Sequence, residues 1–488
     1  MPALHTRSAG FGLLLALVAL TAPLPGCAPA EPTPPPSVLL IVADTLRADH
    51  LGCYGYGRNT SPNLDALAER GVIFDDVVSQ SSWTLPSMIS LMTGRYVFAS
   101  LPTLPPARAT LAEVLRGAGY QTAAFVGNDV VGREEGFPRG FDHFVVGAEL
   151  LEGLDAADDL LHSDSGGILV ERVLGWAADN LQSPYFLYVH FIDPHLPYIT
   201  PPGYTDFDDD LDPIPPAVRE QYARSVAARP TLEPGLKKEL AKIRRAHRAY
   251  DGEVAYMDAR IGELLAGLDG LGAMGDTLVA FTADHGEVIY ERLDGLPDEA
   301  DQARSQTSLT ALYRNGHGEQ LFDELIRVPL IVSGPGLLAG RRVEDTVASI
   351  DLLPTLLHLT DVTDRGERDG RNLAALLRDA EATAPPRQVL YSFCEQMTAA
   401  INPRRRLKYV RHNTAPGVPA GTHWMFDLGA DPLELHDLMP AGRPQHLQAA
   451  EFLAQRLAER ERKAVGDLAG AGYLEATQAK MRAMGYIK

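Results

Sequence analysis

The chain has 488 residues, of which 45% are hydrophobic and 22% charged, and its formal net charge is −20 at pH 7. These proportions are typical of a globular protein and argue against a largely disordered chain. The acidic balance argues against sequence-independent binding to nucleic acid, which depends on clustered Lys and Arg, so we expect no nucleic-acid partner.

The first 27 residues predict an export signal. His5 and Arg7 precede the apolar run Phe11–Leu20, which is too short to span a bilayer. Leu24-Pro25-Gly26-Cys27 resembles the lipobox of bacterial lipoproteins, in which the cysteine is lipidated, although Pro25 is unusual there and ordinary secretion is the alternative. Residues 28–36 form a Pro-rich linker suited to a tether. We expect a lipid-anchored protein of the bacterial cell envelope, at the periplasm or cell surface.

The next part of the chain alternates strand patterns with helix patterns. The predicted strands are Val38–Ala43, Gln121–Gly127, Pro184–Phe191 and Thr277–Ala283, and the predicted helices include Ser61–Gly71, Ala109–Gly119 and Pro234–Leu268. Continuous apolar runs indicate strands covered on both faces. The alternation predicts an α/β fold with a doubly wound, mostly parallel sheet.

From about residue 387 short strands precede a single helix, which predicts a smaller α+β subdomain. We therefore assign residues 37–386 to a catalytic domain and 387–488 to a C-terminal subdomain. Cys53 and Cys394 are the cysteines of this folded part, and the sequence leaves open one disulfide or two buried thiols.

Thr84 is a candidate nucleophile because it stands just ahead of a predicted helix. Pro86 suits the first helical position, and Gly94 ends the pattern after Thr93. Free backbone N–H groups and the positive end of the helix dipole converge at such a terminus, where an anion is held favourably.

Two predicted buried strands each deliver a carboxylate at the carboxyl end. Asp44 follows the first strand, and Asp284 with His285 follows the last. An isolated aspartate there often only caps a turn, but the repeated arrangement beside Thr84 favours a site for a divalent metal, which would activate the hydroxyl. Ca²⁺, Mg²⁺, Mn²⁺ and Zn²⁺ all remain open.

Two further histidines are candidates for catalysis. His195 lies between Pro194 and Pro197 in a stiffened loop after a strand, and His317 lies between two glycines that permit close approach to a ligand. An incidental loop histidine and a flexible glycine turn are the respective alternatives.

Several of these segments, in this order, resemble the sulfatase family of the alkaline phosphatase superfamily. The matching stretches are Val38–Gly55, Thr84–Arg95, Tyr250–Asp258, Thr282–Glu287, Arg327–Val332, Asp351–Thr355, Phe426–Leu428 with Asp431-Pro432, and Met484–Tyr486. The resemblance implies the fold of that superfamily and a hydrolase of sulfate or phosphate esters. It also implies that Asp44, Thr84, Asp284 and His285 hold one divalent metal ion, that Thr84 attacks the ester, and that His195 and His317 bind ester oxygens or protonate the leaving group.

The chain departs from the family pattern at the nucleophile. Sulfatases carry a Cys or Ser where this chain has Thr84, and that residue is oxidised to formylglycine; Met88 and Thr45 replace an arginine and a second aspartate. Threonine cannot be oxidised to this aldehyde. The resemblance therefore implies phosphoryl-transfer chemistry, as in the members of the superfamily that use threonine as the nucleophile. The expected substrate is a small-molecule, glycan-linked or lipid-linked sulfate or phosphate ester. An envelope phosphoethanolamine- or phosphoglycerol-type transferase and an inactive binding protein are the alternatives.

Overall fold

A computed structural model describes residues 34–98, 101, 103–153, 164–204, 207, 212, 219–220, 223, 227, 233–289, 315–413 and 422–469. The predicted signal peptide, residues 28–33 of the linker and Met484–Tyr486 lie outside these residues. None of the helices within these ranges is long and apolar enough to cross a membrane.

The larger sheet has eight strands: β1 (Ser37–Ala43), β2 (Val72–Phe74), β4 (Gln121–Val126), β5 (His143–Val146), β6 (Tyr185–Phe191), β7 (Thr277–Ala283), β10 (Leu330–Ser333) and β11 (Arg341–Val343). They lie side by side in the order β11-β2-β10-β7-β1-β6-β4-β5. All pairs are parallel except the two that β10 makes with β2 and β7. Two short pairs stand apart, formed by β3 (Val77–Val78) with β12 (Val347–Ala348) and β8 (Val288–Ile289) with β9 (Asn315–Gly316).

The three central strands, β1, β6 and β7, are buried along their whole length. Their near-continuous apolar sequences follow from this position, since a parallel sheet is covered on both faces. In the register Val42 of β1 lies opposite His190 of β6 and Thr282 of β7. The carboxyl ends of the three strands therefore finish at one level of the sheet edge.

The α-helices cover this sheet and the smaller C-terminal one. They are α1 (Pro62–Glu69), α2 (Thr84–Thr93), α3 (Leu111–Gly117), α4 (Ser165–Asn180), α5 (Glu233–Gly270), α6 (Asp323–Ile326), α7 (Leu352–Leu359), α8 (Ala374–Arg378) and α9 (Pro444–Ala469). The predicted helices within 61–71, 109–119 and 234–268 correspond to α1, α3 and α5.

Helix α2 is buried at every residue, which is unusual for so short an element. It begins at Thr84 rather than at the predicted Pro86, so Thr84 lies inside the first turn. Pro86 is still tolerated there because the first N–H groups of a helix have no intrahelical partner. Gly94 ends the helix in the left-handed region, with φ of 61°.

The C-terminal part forms an antiparallel sheet of four strands, β13 (Leu390–Phe393), β14 (Met397–Asn402), β15 (Leu407–His412) and β16 (His423–Asp427). Leu453 and Leu457 of α9 pack on one face of this sheet, and Leu325 of α6 belongs to the apolar cluster on the other. A buried ion-pair network joins it to the rest of the chain. Lys408 Nζ lies 2.9 Å from both Asp323 Oδ1 and Glu434 Oε1.

This architecture confirms the predicted fold class, a mostly parallel α/β sheet with a smaller α+β unit at the C-terminus. The boundary at residues 386 and 387 stays a prediction. Cys53 and Cys394 are both free thiols, so they form no disulfide.

The Lys408 network predicts a large stability effect. Replacing Lys408 by Met leaves the carboxylate of Glu434, whose side chain is 0% exposed, without its cation. We expect the free energy of unfolding in urea to fall by about 3–5 kcal/mol. Arg405→Met, at an exposed position in the turn between β14 and β15, should change it by less than about 0.5 kcal/mol. Equal effects of the two substitutions would show that the network is not the stabilising contact.

Candidate active site

The register of the central strands brings two carboxylates together. Asp44 follows β1 directly and Asp284 follows β7, and the last residues of these strands, Ala43 and Ala283, are register partners. Both aspartate side chains are fully buried. The parallel pairing alone places them side by side at the carboxyl edge of the sheet.

Each carboxylate has one oxygen held by the protein and one left over. Asn128 Nδ2 donates to Asp44 Oδ2. The backbone N–H groups of Thr45 and His285 donate to Asp284 Oδ1 at 3.1 and 2.7 Å. Asp44 Oδ1 and Asp284 Oδ2 are buried and accept no hydrogen bond from any described residue. The free oxygens are thus fixed in place by the bonds that the other oxygens make.

Burial shifts the pKa of each of these side chains in the direction that favours its neutral form. Desolvation raises the pKa of Asp44 well above its usual value, and the charge of Asp284 raises it further. Burial also raises the pKa of Asp284, and it lowers that of His285 well below the ordinary range. The lowered pKa of His285 keeps its imidazole neutral, which is the form that binds a metal, and a cation at this place would stabilise the ionised form of the two aspartates against the cost of burial.

The Thr84 hydroxyl lies next to this cluster, within hydrogen-bond distance of His285. Nδ1 of His285 donates to the Gly286 carbonyl at 2.9 Å, so the neutral ring carries its lone pair on Nε2. Nε2 lies 3.2 Å from Thr84 Oγ1, 3.3 Å from Asp284 Oδ2 and 3.9 Å from Asp44 Oδ1. The hydroxyl, the imidazole and the two free carboxylate oxygens therefore converge on one small volume.

Hydrogen bonds from two serine hydroxyls hold α2 and the segment before it against the turn that carries His285. Ser79 and Ser87 both donate their hydroxyls to the Asp284 carbonyl, at 2.5 and 2.6 Å. The following Gly286 has no room for a side chain, because a Cβ there would lie 2.1 Å from the Glu324 carbonyl oxygen. The glycine in the sequence Asp-His-Gly-Glu is thus required by close packing.

His317 and His195 lie beside this cluster. Their rings are 5.0 Å apart between centroids, and the His317 ring is 4.6 Å from that of His285. His317 Nδ1 lies 3.2 Å from Oε1 of Glu287, a fully buried carboxylate. Burial lowers the pKa of His317, but its hydrogen bond with Glu287 and the charge of that carboxylate outweigh burial, and the net shift is upward. The pKa of His195 is lowered, chiefly by burial.

The six residues singled out from the sequence therefore lie in one site: Asp44, Thr84, His195, Asp284, His285 and His317. Their roles stay predictions. Sequence reasoning missed Asn128, Glu287 and His190, which the structure adds to the same place. A signal for His190 was present, since it is a polar residue inside an otherwise apolar strand, next to that strand's last residue.

The arrangement fits a divalent cation. One ligand atom from each of Asp44, His190 and Asp284 lies within 4.8 Å of the others, and all three side chains are buried. An ion would satisfy the free oxygens of Asp44 and Asp284, whose burial without a partner is otherwise costly. Carboxylate and imidazole donors suit such an ion.

Comparisons with known proteins identify the family. The sequence profile described as Sulfatase matches residues 36–362, and one described as N-sulphoglucosamine sulphohydrolase, C-terminal, matches residues 318–463. The chain is 28% identical to steryl-sulfatase of Mus musculus, over 87% of this chain and 82% of that protein. It is 27% identical to choline-sulfatase of Rhizobium meliloti, over 83% and 82%. The crystal structure of a phosphonate monoester hydrolase of Agrobacterium radiobacter superposes with a TM-score of 0.67 at 21% identity, covering 88% and 96% of the two chains.

Proposed function

The chain belongs to the sulfatase family of sulfuric and phosphoric ester hydrolases, and on that premise we propose that it cleaves its ester with Thr84 as the nucleophile and one divalent cation as the cofactor. The observation that carries the proposal is the convergence of Thr84 Oγ1 and His285 Nε2 on the free oxygens of Asp44 and Asp284. A binding protein would have no need of a hydroxyl held at this point.

Asp44, Asp284, His285 and Thr84 would hold the cation. When bound, it would lower the pKa of the Thr84 hydroxyl and polarise an oxygen of the ester. The protein's own groups stabilise the negative charge of the substrate and supply a proton to the leaving group. The first turn of α2 places backbone N–H groups around Thr84, where they favour negative charge on the substrate.

Thr84 Oγ1, its proton released to solvent, attacks the sulfur or phosphorus atom. The bond from that atom to the leaving oxygen breaks as the bond to Oγ1 forms. Glu287 raises the pKa of His317 and so favours its charged form, which is the form that delivers a proton to the leaving oxygen. His195, whose neutral form burial favours, binds a non-reacting oxygen of the ester through the ring nitrogen opposite its bond to the Leu196 carbonyl.

The second half of the reaction distinguishes threonine from formylglycine. A formylglycine hydrate has a second hydroxyl and can expel the oxyanion by breaking its own C–O bond. A threonine ester lacks that hydroxyl, so water has to attack the sulfur or phosphorus atom. The bond from that atom to Oγ1 then breaks, and a proton from the water restores the Thr84 hydroxyl. This requirement favours phosphate or phosphonate esters as the substrate over sulfate esters.

The nucleophile is tested by substitution at Thr84. Thr84→Ala should lower turnover by about 10³-fold or more, while Thr84→Ser, which keeps the hydroxyl, should stay within about tenfold of the wild type. Hydrolysis of paired aryl sulfate, phosphate monoester and phosphodiester substrates measures this and reports the preferred ester. Thr93→Ala is the matched control, because Thr93 is equally buried at the other end of the same helix. Full activity in Thr84→Ala would remove Thr84 as the nucleophile.

The proton donor is tested by the leaving group. A nitrophenolate leaves without a proton, whereas an alkoxide needs one. His317→Ala should therefore reduce turnover of alkyl esters by about 10²-fold or more and that of nitrophenyl esters much less. Equal losses on both ester types would show that His317 binds substrate without donating the proton.

A further inference from the structure

His190 is a buried imidazole that the proposed reaction does not use. It is the next-to-last residue of β6, opposite Val42 of β1 and Val126 of β4 in the register. Its side chain is 0% exposed. Its nitrogen Nε2 has no hydrogen-bond partner among the residues that the structure describes.

We propose that His190 Nε2 is a ligand of the same cation as Asp44 and Asp284. The proposal rests on the cation assigned above and adds a residue that the sequence did not single out. A ligand atom of His190 lies within 4.8 Å of one from each aspartate, which is the separation expected of donors around one ion. Each of the two aspartates likewise has one oxygen without a hydrogen-bond partner in the described part of the chain, Oδ1 of Asp44 and Oδ2 of Asp284.

The other ring nitrogen of His190 is already fixed. Nδ1 lies 2.6 Å from the hydroxyl oxygen of Tyr188, two residues earlier on the same face of β6. When Nδ1–H donates to that oxygen, Nε2 carries the lone pair and is the nitrogen available to a cation. Metal-binding histidines commonly have this arrangement, in which an outer partner sets the tautomer and the ring orientation.

A purely structural role does not account for the geometry. Buried polar atoms nearly always find a partner. His190 Nε2, Asp44 Oδ1 and Asp284 Oδ2 all lack one among the described residues, and these three side chains bring ligand atoms within 4.8 Å of one another. A shared cation satisfies all three atoms at once.

The consequence is metal selectivity. With His190 the donor set becomes two imidazoles, from His190 and His285, and two carboxylates, completed by the hydroxyl of Thr84. Nitrogen donors favour Zn²⁺, Mn²⁺ and Fe²⁺, whereas Ca²⁺ and Mg²⁺ prefer oxygen. We expect the protein to prefer the transition metals.

The test measures metal binding in the full chain, independently of turnover. Dissociation constants for Mn²⁺, Zn²⁺ and Ca²⁺ are obtained by chelator competition, and the absorption spectrum of the Co²⁺-loaded protein reports the donor set. His190→Asn replaces the imidazole by an amide. It should weaken Mn²⁺ and Zn²⁺ by more than about 100-fold, because loss of an outer partner alone costs about 10–100-fold. It should weaken Ca²⁺ much less and change the Co²⁺ bands.

Two further variants keep the outcome decisive. His412→Asn replaces a buried histidine in β15 and should leave every metal constant unchanged. Tyr188→Phe removes the partner of Nδ1 but keeps the ligand, so it should weaken Mn²⁺ by about 10–100-fold. If His190→Asn does not fold, the Tyr188→Phe result decides the question.

Wild-type Mn²⁺ affinity and an unchanged Co²⁺ spectrum in His190→Asn would overturn the proposal. Unchanged affinity in Tyr188→Phe, when the first variant does not fold, would do the same. Neither result bears on the proposed role of Thr84, which is tested separately by the turnover of the Thr84 variants. A wild-type protein that binds no cation would overturn both this proposal and the metal assignment of the proposed function, while the Thr84 variants would still test the nucleophile.

Discussion

Burial of negative charge at the carboxyl edge of the central sheet is the constraint on which the site depends. Parallel pairing of β1 and β7 places Asp44 and Asp284 side by side, and both side chains are fully buried from water. The charge of Asp284 therefore acts on Asp44 with little solvent screening. The raised pKa of each aspartate expresses the resulting cost. The surrounding contacts do not remove that cost. They hold one oxygen of each carboxylate and leave the other free, an arrangement that a divalent cation stabilises.

The rest of the site is arranged around that edge. Ser79 and Ser87 tie the start of α2 to the Asp284 carbonyl, which carries Thr84 to within hydrogen-bond distance of His285. On the other side of His285, Glu287 fixes His317 beside it. The sequence from Asp284 to Glu287 therefore supplies a carboxylate, an imidazole, a glycine needed for packing and the partner of His317. One turn thus positions both Thr84, the proposed nucleophile, and His317, the proposed proton donor.

The sequence predicted the four strands β1, β4, β6 and β7 of the larger sheet, together with Thr84 and five other candidate site residues, because each has a local signal. Asp44 and Asp284 follow long apolar runs, Thr84 stands at a helix start, and His195 and His317 are flanked by Pro or Gly. The helix start was placed late because a proline at the third helical position imitates one at the first. Asn128 follows β4 and His190 lies in β6, and their positions near Asp44 follow from the pairing of β6 with β1 and of β4 with β6, which no local pattern reveals.

The central claim is that Thr84 forms a covalent ester during turnover. The most direct measurement mixes the metal-loaded enzyme with saturating substrate, quenches with acid within one turnover and locates the modified residue by peptide mass spectrometry. The account predicts a sulfate or phosphate ester on Thr84, absent from Thr84→Ala. An active enzyme that carries no modification on Thr84, or carries it on another residue, would contradict the account.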